Sequence, residues 1–134
     1  MIELDQLNRF SEQIDGLIND IPKSYRQKLV IIKGSAQSCK TLLARRYADA
    51  SVKRKYIDVQ DAKRSNIPAH RLLPEADVLA VLDNMEFGTS VDWSALRMYL
   101  RKKGYAVCFV GSAVEVPADL FAKAKFLSID TTVE

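Results

Sequence analysis

Histidine and cysteine are scarce in this sequence: one histidine and two cysteines in 134 residues. Cys39 and Cys108 form neither a disulfide framework nor a cluster with metal-ligand spacing, and both read as reduced thiols. His70, close to two prolines, reads as a surface residue rather than a ligand or base. Long apolar runs are missing as well. None approaches the roughly 18–20 residues that span a bilayer. The opening MIELDQLNRF carries acidic residues early and no apolar core followed by a cleavage site, unlike a secretory signal. These absences predict a cytoplasmic chain with no membrane partner.

A strong charge of one sign is also lacking. The net charge of +3 is too mild to establish a nucleic-acid-binding face. Two basic clusters do occur, Arg45, Arg46, Lys53, Arg54 and Lys55 in one stretch, and Arg97, Arg101, Lys102 and Lys103 in another. They read first as solvated helix ends, where the macrodipole favours cations. A surface for an acidic partner or for nucleic acid, contacted directly or through partners, is the alternative. No internal repeat, low-complexity tract or linker is visible. Apolar residues make up 48% and charged residues 28%, which suits one soluble domain with a real core and is too little chain for two.

Several patterned segments are present. Residues 2–21 place Leu7, Phe10, Ile14, Leu17, Ile18 and Ile21 on one helical stripe. Pro22 ends that helix, which packs on the domain or docks on a partner. Residues 28–33 form an apolar strand. A short strand at 56–59 follows, then a Pro-broken crossover at 61–76, either a short helix or irregular. Residues 77–84 read as a strand that is apolar on both faces and ends in acid. Asp92 is a plausible N-cap for a helix carrying Trp93, Leu96, Tyr99 and Leu100 inward. A strand at 106–111, a short helix at 118–123 and a last strand at 126–130 complete the chain. Continuous apolar strands alternating with helices predict an α/β three-layer sandwich of about five mostly parallel strands. The whole of 1–134 is one domain, with an amphipathic N-terminal helix over 1–22 and a core over 28–130.

The chemistry centres on KLVIIKGSAQSCKTLLARRYAD. A buried strand runs into G-x-x-x-x-C-K-T, and a helix with Leu42, Leu43, Tyr47 and Ala48 as inner-face candidates follows. This is the arrangement of a phosphate-binding loop (Walker A). Backbone N–H groups of Gly34, Ser35, Ala36, Gln37, Ser38, Cys39 and Leu42 surround phosphate oxygens at a helix N-terminus. Lys40 contacts the terminal phosphates and Thr41 ligates Mg2+. The bland alternative is a turn glycine and a helix-start lysine. Cys39 stands where glycine is normal. A Cβ there costs on the order of 1 kcal/mol if φ is positive, so the loop either binds weakly or turns slightly differently. A thiol beside Lys40 at a helix start is also a candidate for a lowered pKa and redox control.

VLAVLD supplies the second half, with Asp83 as the acid that holds Mg2+ (Walker B). Many buried strands end in Asp, but the pairing with the loop favours the functional reading. VCFVGS ends the fourth strand at Gly111 and Ser112.

Together these motifs resemble a minimal P-loop ATPase of the AAA+/additional-strand class, over about residues 28–130. The resemblance implies a sheet order of 5-1-4-3-2, ATP or another NTP with Mg2+ as cofactor, and Ser112 at a sensor position. It also exposes two departures. The class usually carries Glu directly after the Walker B Asp, and here Asn84 stands there, with Glu86 the next acid. Asparagine orients water but does not take its proton. So Glu86 substitutes, or hydrolysis is slow, or the protein only binds. No lid follows the last strand, and Arg97, Arg101 or Lys123 are the candidates for a finger acting in trans. In size, leading helix and absence of a lid the chain also resembles the BrxF family, small P-loop proteins of bacterial BREX phage-defence systems. That likeness implies a nucleotide-binding accessory within a multi-protein complex. The functional expectation is a slowly or conditionally hydrolysing ATP-binding subunit that assembles with itself or with larger partners. A non-hydrolysing interaction module and a small-molecule kinase are the alternatives.

Overall fold

The structure, a computed structural model, describes residues 4–21, 28–34, 40–68, 71–74, 78–102, 105–111, 116–121 and 124–129. Five strands form its sheet: β1 (Lys28–Lys33), β2 (Arg54–Asp58), β3 (Leu79–Asp83), β4 (Tyr105–Val110) and β5 (Lys125–Ser128). Every pairing between them is parallel. Their order is β2-β3-β4-β1-β5, which read from the opposite edge is the expected 5-1-4-3-2. β4 therefore lies between β1, which leads into Gly34, and β3, which ends in Asp83.

Alternation along each strand builds two cores, because successive side chains point to opposite sheet faces. Leu29 and Ile31 share one face with Ala80, Leu82, Ala106, Cys108 and Val110. Val30 and Ile32 share the other with Val81, Val107 and Phe109. Helices α3 (Val59–Arg64), α4 (Ser90–Arg101) and α5 (Ala118–Phe121) cover the first face, through Val59, Ala62, Trp93, Leu96, Leu100 and Leu120. Helices α1 (Leu4–Asp20) and α2 (Lys40–Asp49) cover the second, through Ile14, Leu43, Ala44, Tyr47 and Ala48. A strand buried on both faces has no polar side to show, which is why these segments read as unbroken apolar runs.

The leading helix packs on the domain. Ile14 and Ile21 are fully or almost fully buried, with Phe10, Leu17 and Ile18 packed beside them. Each fully buried aliphatic side chain contributes roughly 1.5–3 kcal/mol, which outweighs the ~1 kcal/mol cost of Gly16 within the helix. A polar clasp adds to this packing. Tyr47 donates to Asp15 at 2.7 Å, and Arg54 donates to the same carboxylate oxygen at 3.0 Å. The Arg54 guanidinium also lies 3.8 Å from the centre of the Tyr47 ring.

Several local expectations are corrected. Leu42 is exposed rather than on the inner face of α2, because Leu43, Ala44, Tyr47 and Ala48 already complete the i, i+1, i+4, i+5 face. The second strand begins earlier than expected and hands Val59 to α3. Asp58 forces that change by capping α3, its side chain accepting from the N–H of Gln60 and Asp61. The N-cap of α4 is Thr89, not Asp92. Asp92 is instead the N3 partner in a capping box, the arrangement in which side chain and backbone satisfy each other's orphan groups.

Candidate functional site

Four strand ends and one helix start converge. β1 ends at Lys33, and the buried Gly34 donates its N–H to Val110 O at 3.1 Å, fixing the loop entrance to the end of β4. Ser35, Ala36, Gln37, Ser38 and Cys39 lie outside the described residues. The chain resumes with Lys40 as the first residue of α2. Thr41 follows, partly exposed. Parallel pairing in register sets Asp58 at the end of β2 opposite Asp83 at the end of β3. Open parallel sheets bind ligands at such carboxyl ends.

Lys40 is only 7% exposed, and burying an ammonium without an anion is very costly. Its partner is Glu86, with Nζ to Oε2 at 3.5 Å. Asp83 is fully buried. One of its oxygens accepts from the Tyr56 hydroxyl at 2.7 Å, and the other from the Asn84 N–H at 2.9 Å. Tyr56 in turn lies beneath Arg45, whose guanidinium is 4.7 Å from the ring centre. The phenol pKa of Tyr56 is raised. Burial is the main cause, followed by the hydrogen bond to Asp83 and the negative charges of Asp83 and Asp58, against the opposing pull of Arg45. The phenol therefore stays a donor.

Asn84 occupies the left-handed backbone region, with φ 58° and ψ 37°. Asparagine tolerates that conformation better than most residues. Its side-chain amide donates to Asp58 Oδ1 at 3.0 Å, so it ties the end of β3 to the end of β2. A single 3-10 turn over Met85–Phe87 then follows, and this turn carries Glu86 to Lys40. Asn84, not an acid, directly follows Asp83, and Glu86 is the next acid along the chain.

The remaining candidates divide. Ser112 lies outside the described residues, although the strand order puts the end of β4 between β1 and β3. Arg97 is already engaged within the chain, donating to both Asp119 oxygens at 2.7 and 3.0 Å. Lys123 and His70 lie outside the described residues. Cys108 is buried in β4, and burial pushes its thiol pKa far up. It is an inert core residue. Asp58, Tyr56 and Arg45 were not anticipated as part of this site. The strand-ending Asp58 before a helix carries an N-cap signal. For Tyr56 and Arg45 no sequence signal exists, because their roles depend on β2 lying beside β3.

Two solved structures share the architecture. C. elegans PCH-2 superposes over 96% of this chain with a TM-score of 0.60 at 14% identity. The shared architecture is an α/β fold with a parallel five-stranded sheet, of the P-loop NTPase-like type. A DNA polymerase III gamma subunit-related protein from Thermotoga maritima matches over 96% of this chain with a TM-score of 0.51 at 12% identity. This chain spans less than half of either protein, 42% and 47%. At such identities the likeness speaks for the fold alone. No protein-family profile matches the sequence, and no curated protein does. Among the described residues no helix is long and apolar enough to cross a membrane.

Proposed function

We propose that this chain binds a nucleoside triphosphate, ATP in the first instance, together with Mg2+, turns it over slowly, and works as one subunit of a larger assembly. The buried ammonium of Lys40 at the head of α2, balanced among the described residues by a single carboxylate, carries the reading. A cation so placed on an AAA+-like fold suits phosphate oxygens. Gly34, Ser35, Ala36, Gln37, Ser38, Cys39 and Leu42 would supply the backbone cradle, with Lys40 on the phosphates.

Thr41 and Asp83 would hold the metal side. Each carboxylate oxygen of Asp83 has a lone pair beyond those used by Tyr56 and Asn84, which suits water-mediated contact with Mg2+. Among the described residues no three histidine, cysteine or acidic side chains gather into a ready-made metal cluster. The ion would therefore be shared with phosphate oxygens and water, the usual preference of Mg2+. Bound there, it would neutralise charge developing on the phosphate.

Slow turnover follows from the side chains. Asn84 cannot accept a proton, Glu86 is engaged with Lys40, and Ser112 can only orient. Proteins with this fold often act in assemblies, which supports self-association or a larger protein partner, with nucleic acid contacted directly or through it. The likeness to the BrxF proteins points that assembly toward bacterial phage defence. Loss of plating protection on Lys40→Ala in a host carrying the system would support that role, and unaltered protection would remove it.

The central test is equilibrium binding of a fluorescent ATP analogue, with and without Mg2+, to wild type and Lys40→Ala. Losing a charge-assisted contact of about 1.5–3 kcal/mol should weaken binding by at least roughly tenfold. Equal binding by the two proteins would overturn the proposal. A second reading, a scaffold that holds no nucleotide, is favoured by one observation: both Lys40 and Asp83 already have internal partners. It predicts that neither protein binds.

A further inference from the structure

We infer that Glu86 is an internal stand-in for phosphate, a latch on Lys40 that an incoming nucleotide must displace. The inference rests on the nucleotide reading above and goes beyond it by assigning Glu86 a role before any chemistry. Its two carboxylate oxygens are treated very differently. Oε2 faces the Lys40 ammonium at 3.5 Å. Oε1 is buried with no hydrogen-bond partner, the only side-chain atom so placed among the described residues. A buried acceptor without a donor carries its full desolvation penalty. Other carboxylates here are better served: Asp83 accepts on both oxygens, and Asp58 accepts three bonds. Glu86 is therefore held by one charge contact and is otherwise poorly solvated.

The backbone beneath it is fixed. Met85 is buried, Phe87 N–H donates to Asn84 O at 3.0 Å, and Gly88 N–H donates to Met85 O at 2.9 Å. A Cβ at Gly88 would lie 3.0 Å from Met85 O, so the turn is packed closely on itself. The glutamate side chain remains 20% exposed, which leaves it a way out to water. A rigid base, a flexible side chain, one exchangeable contact and one starved oxygen make a replaceable counter-ion. A phosphate brings more charge to Lys40 than a carboxylate does, and displacing Glu86 lets its starved oxygen reach solvent.

A fluorescent ADP analogue without Mg2+ isolates this exchange from turnover. The full chain would be titrated as wild type, Glu86→Gln, Glu86→Asp and Lys40→Ala, each first shown to melt cooperatively. Glu86→Gln should bind up to about fivefold tighter than wild type, the scale of one ion pair that no longer competes. Glu86→Asp keeps the charge but shortens the reach, and should fall between the two. If Lys40→Ala weakens binding but Glu86→Gln does not tighten it, the latch is wrong and the nucleotide reading stands. If Glu86→Asp matches wild type while Glu86→Gln gains, the general field acts rather than the contact, and the latch is again overturned. If Lys40→Ala binds like wild type, the nucleotide reading fails and the latch falls with it.

Discussion

The Tyr47 hydroxyl donates to Asp15 at 2.7 Å, joining the leading helix to the helix that opens with Lys40. Arg54 closes the triangle by bonding both Asp15 and the Tyr47 carbonyl, at 3.0 and 2.8 Å. Removing the carboxylate leaves a buried phenol without its acceptor and the guanidinium without its anion. Asp15 itself is 47% exposed, so solvent screening discounts the loss. Asp15→Ala should cost about 1 kcal/mol, read as a lower urea midpoint and faster amide exchange in α1. Arg54→Ala should cost a similar amount, and the double variant less than the sum, because the two share one carboxylate.

The same triangle predicts a pH response. The pKa of Tyr47 is raised, chiefly by burial, then by its hydrogen bond to Asp15 and that residue's charge, with Arg54 opposing. A group whose folded pKa exceeds its unfolded value contributes stability that is complete below the unfolded pKa and declines above it. The contribution of Tyr47 should therefore be intact at neutral pH and decline from about pH 10, the ordinary tyrosine value. Ultraviolet titration should show Tyr47 ionising only as the protein unfolds in alkali. Ionisation at the ordinary value in folded protein would contradict this environment.

Asp83 makes a third prediction. Its carboxylate is fully buried, and Tyr56 supplies one of its two donors. Tyr56→Phe keeps the ring beneath Arg45 and removes only the hydroxyl. A hydrogen bond to a charged group contributes about 1.5–3 kcal/mol, so thermal and urea unfolding should shift by that order. Asp83→Asn in the Tyr56→Phe background should cost less than in wild type, since the pair is already broken.

Strand identity and the two-faced core were legible because burial on both faces leaves unbroken apolar runs such as Leu29 to Ile32 and Ala80 to Leu82, whereas the strand order was only what the resemblance to P-loop ATPases implied. Lys40 and Asp83 could be singled out as candidates because phosphate-loop and strand-end motifs place residue types at fixed spacing. The contacts that define the site were not. Tyr56 meets Asp83, and Asn84 meets Asp58, only because β2 lies beside β3 in register, and register is a long-range outcome. Asp92 in place of Thr89 as N-cap was a local error: either residue satisfies the preference, and three positions separate the two halves of a capping box.

Asn84 bears on protein engineering. Writing the missing glutamate back at that position would force a longer side chain into a left-handed backbone and cut the bridge to Asp58. The repaired motif would fit this chain less well than the one it carries. The turn over Met85–Phe87 is what carries the Glu86 carboxylate to the Lys40 ammonium.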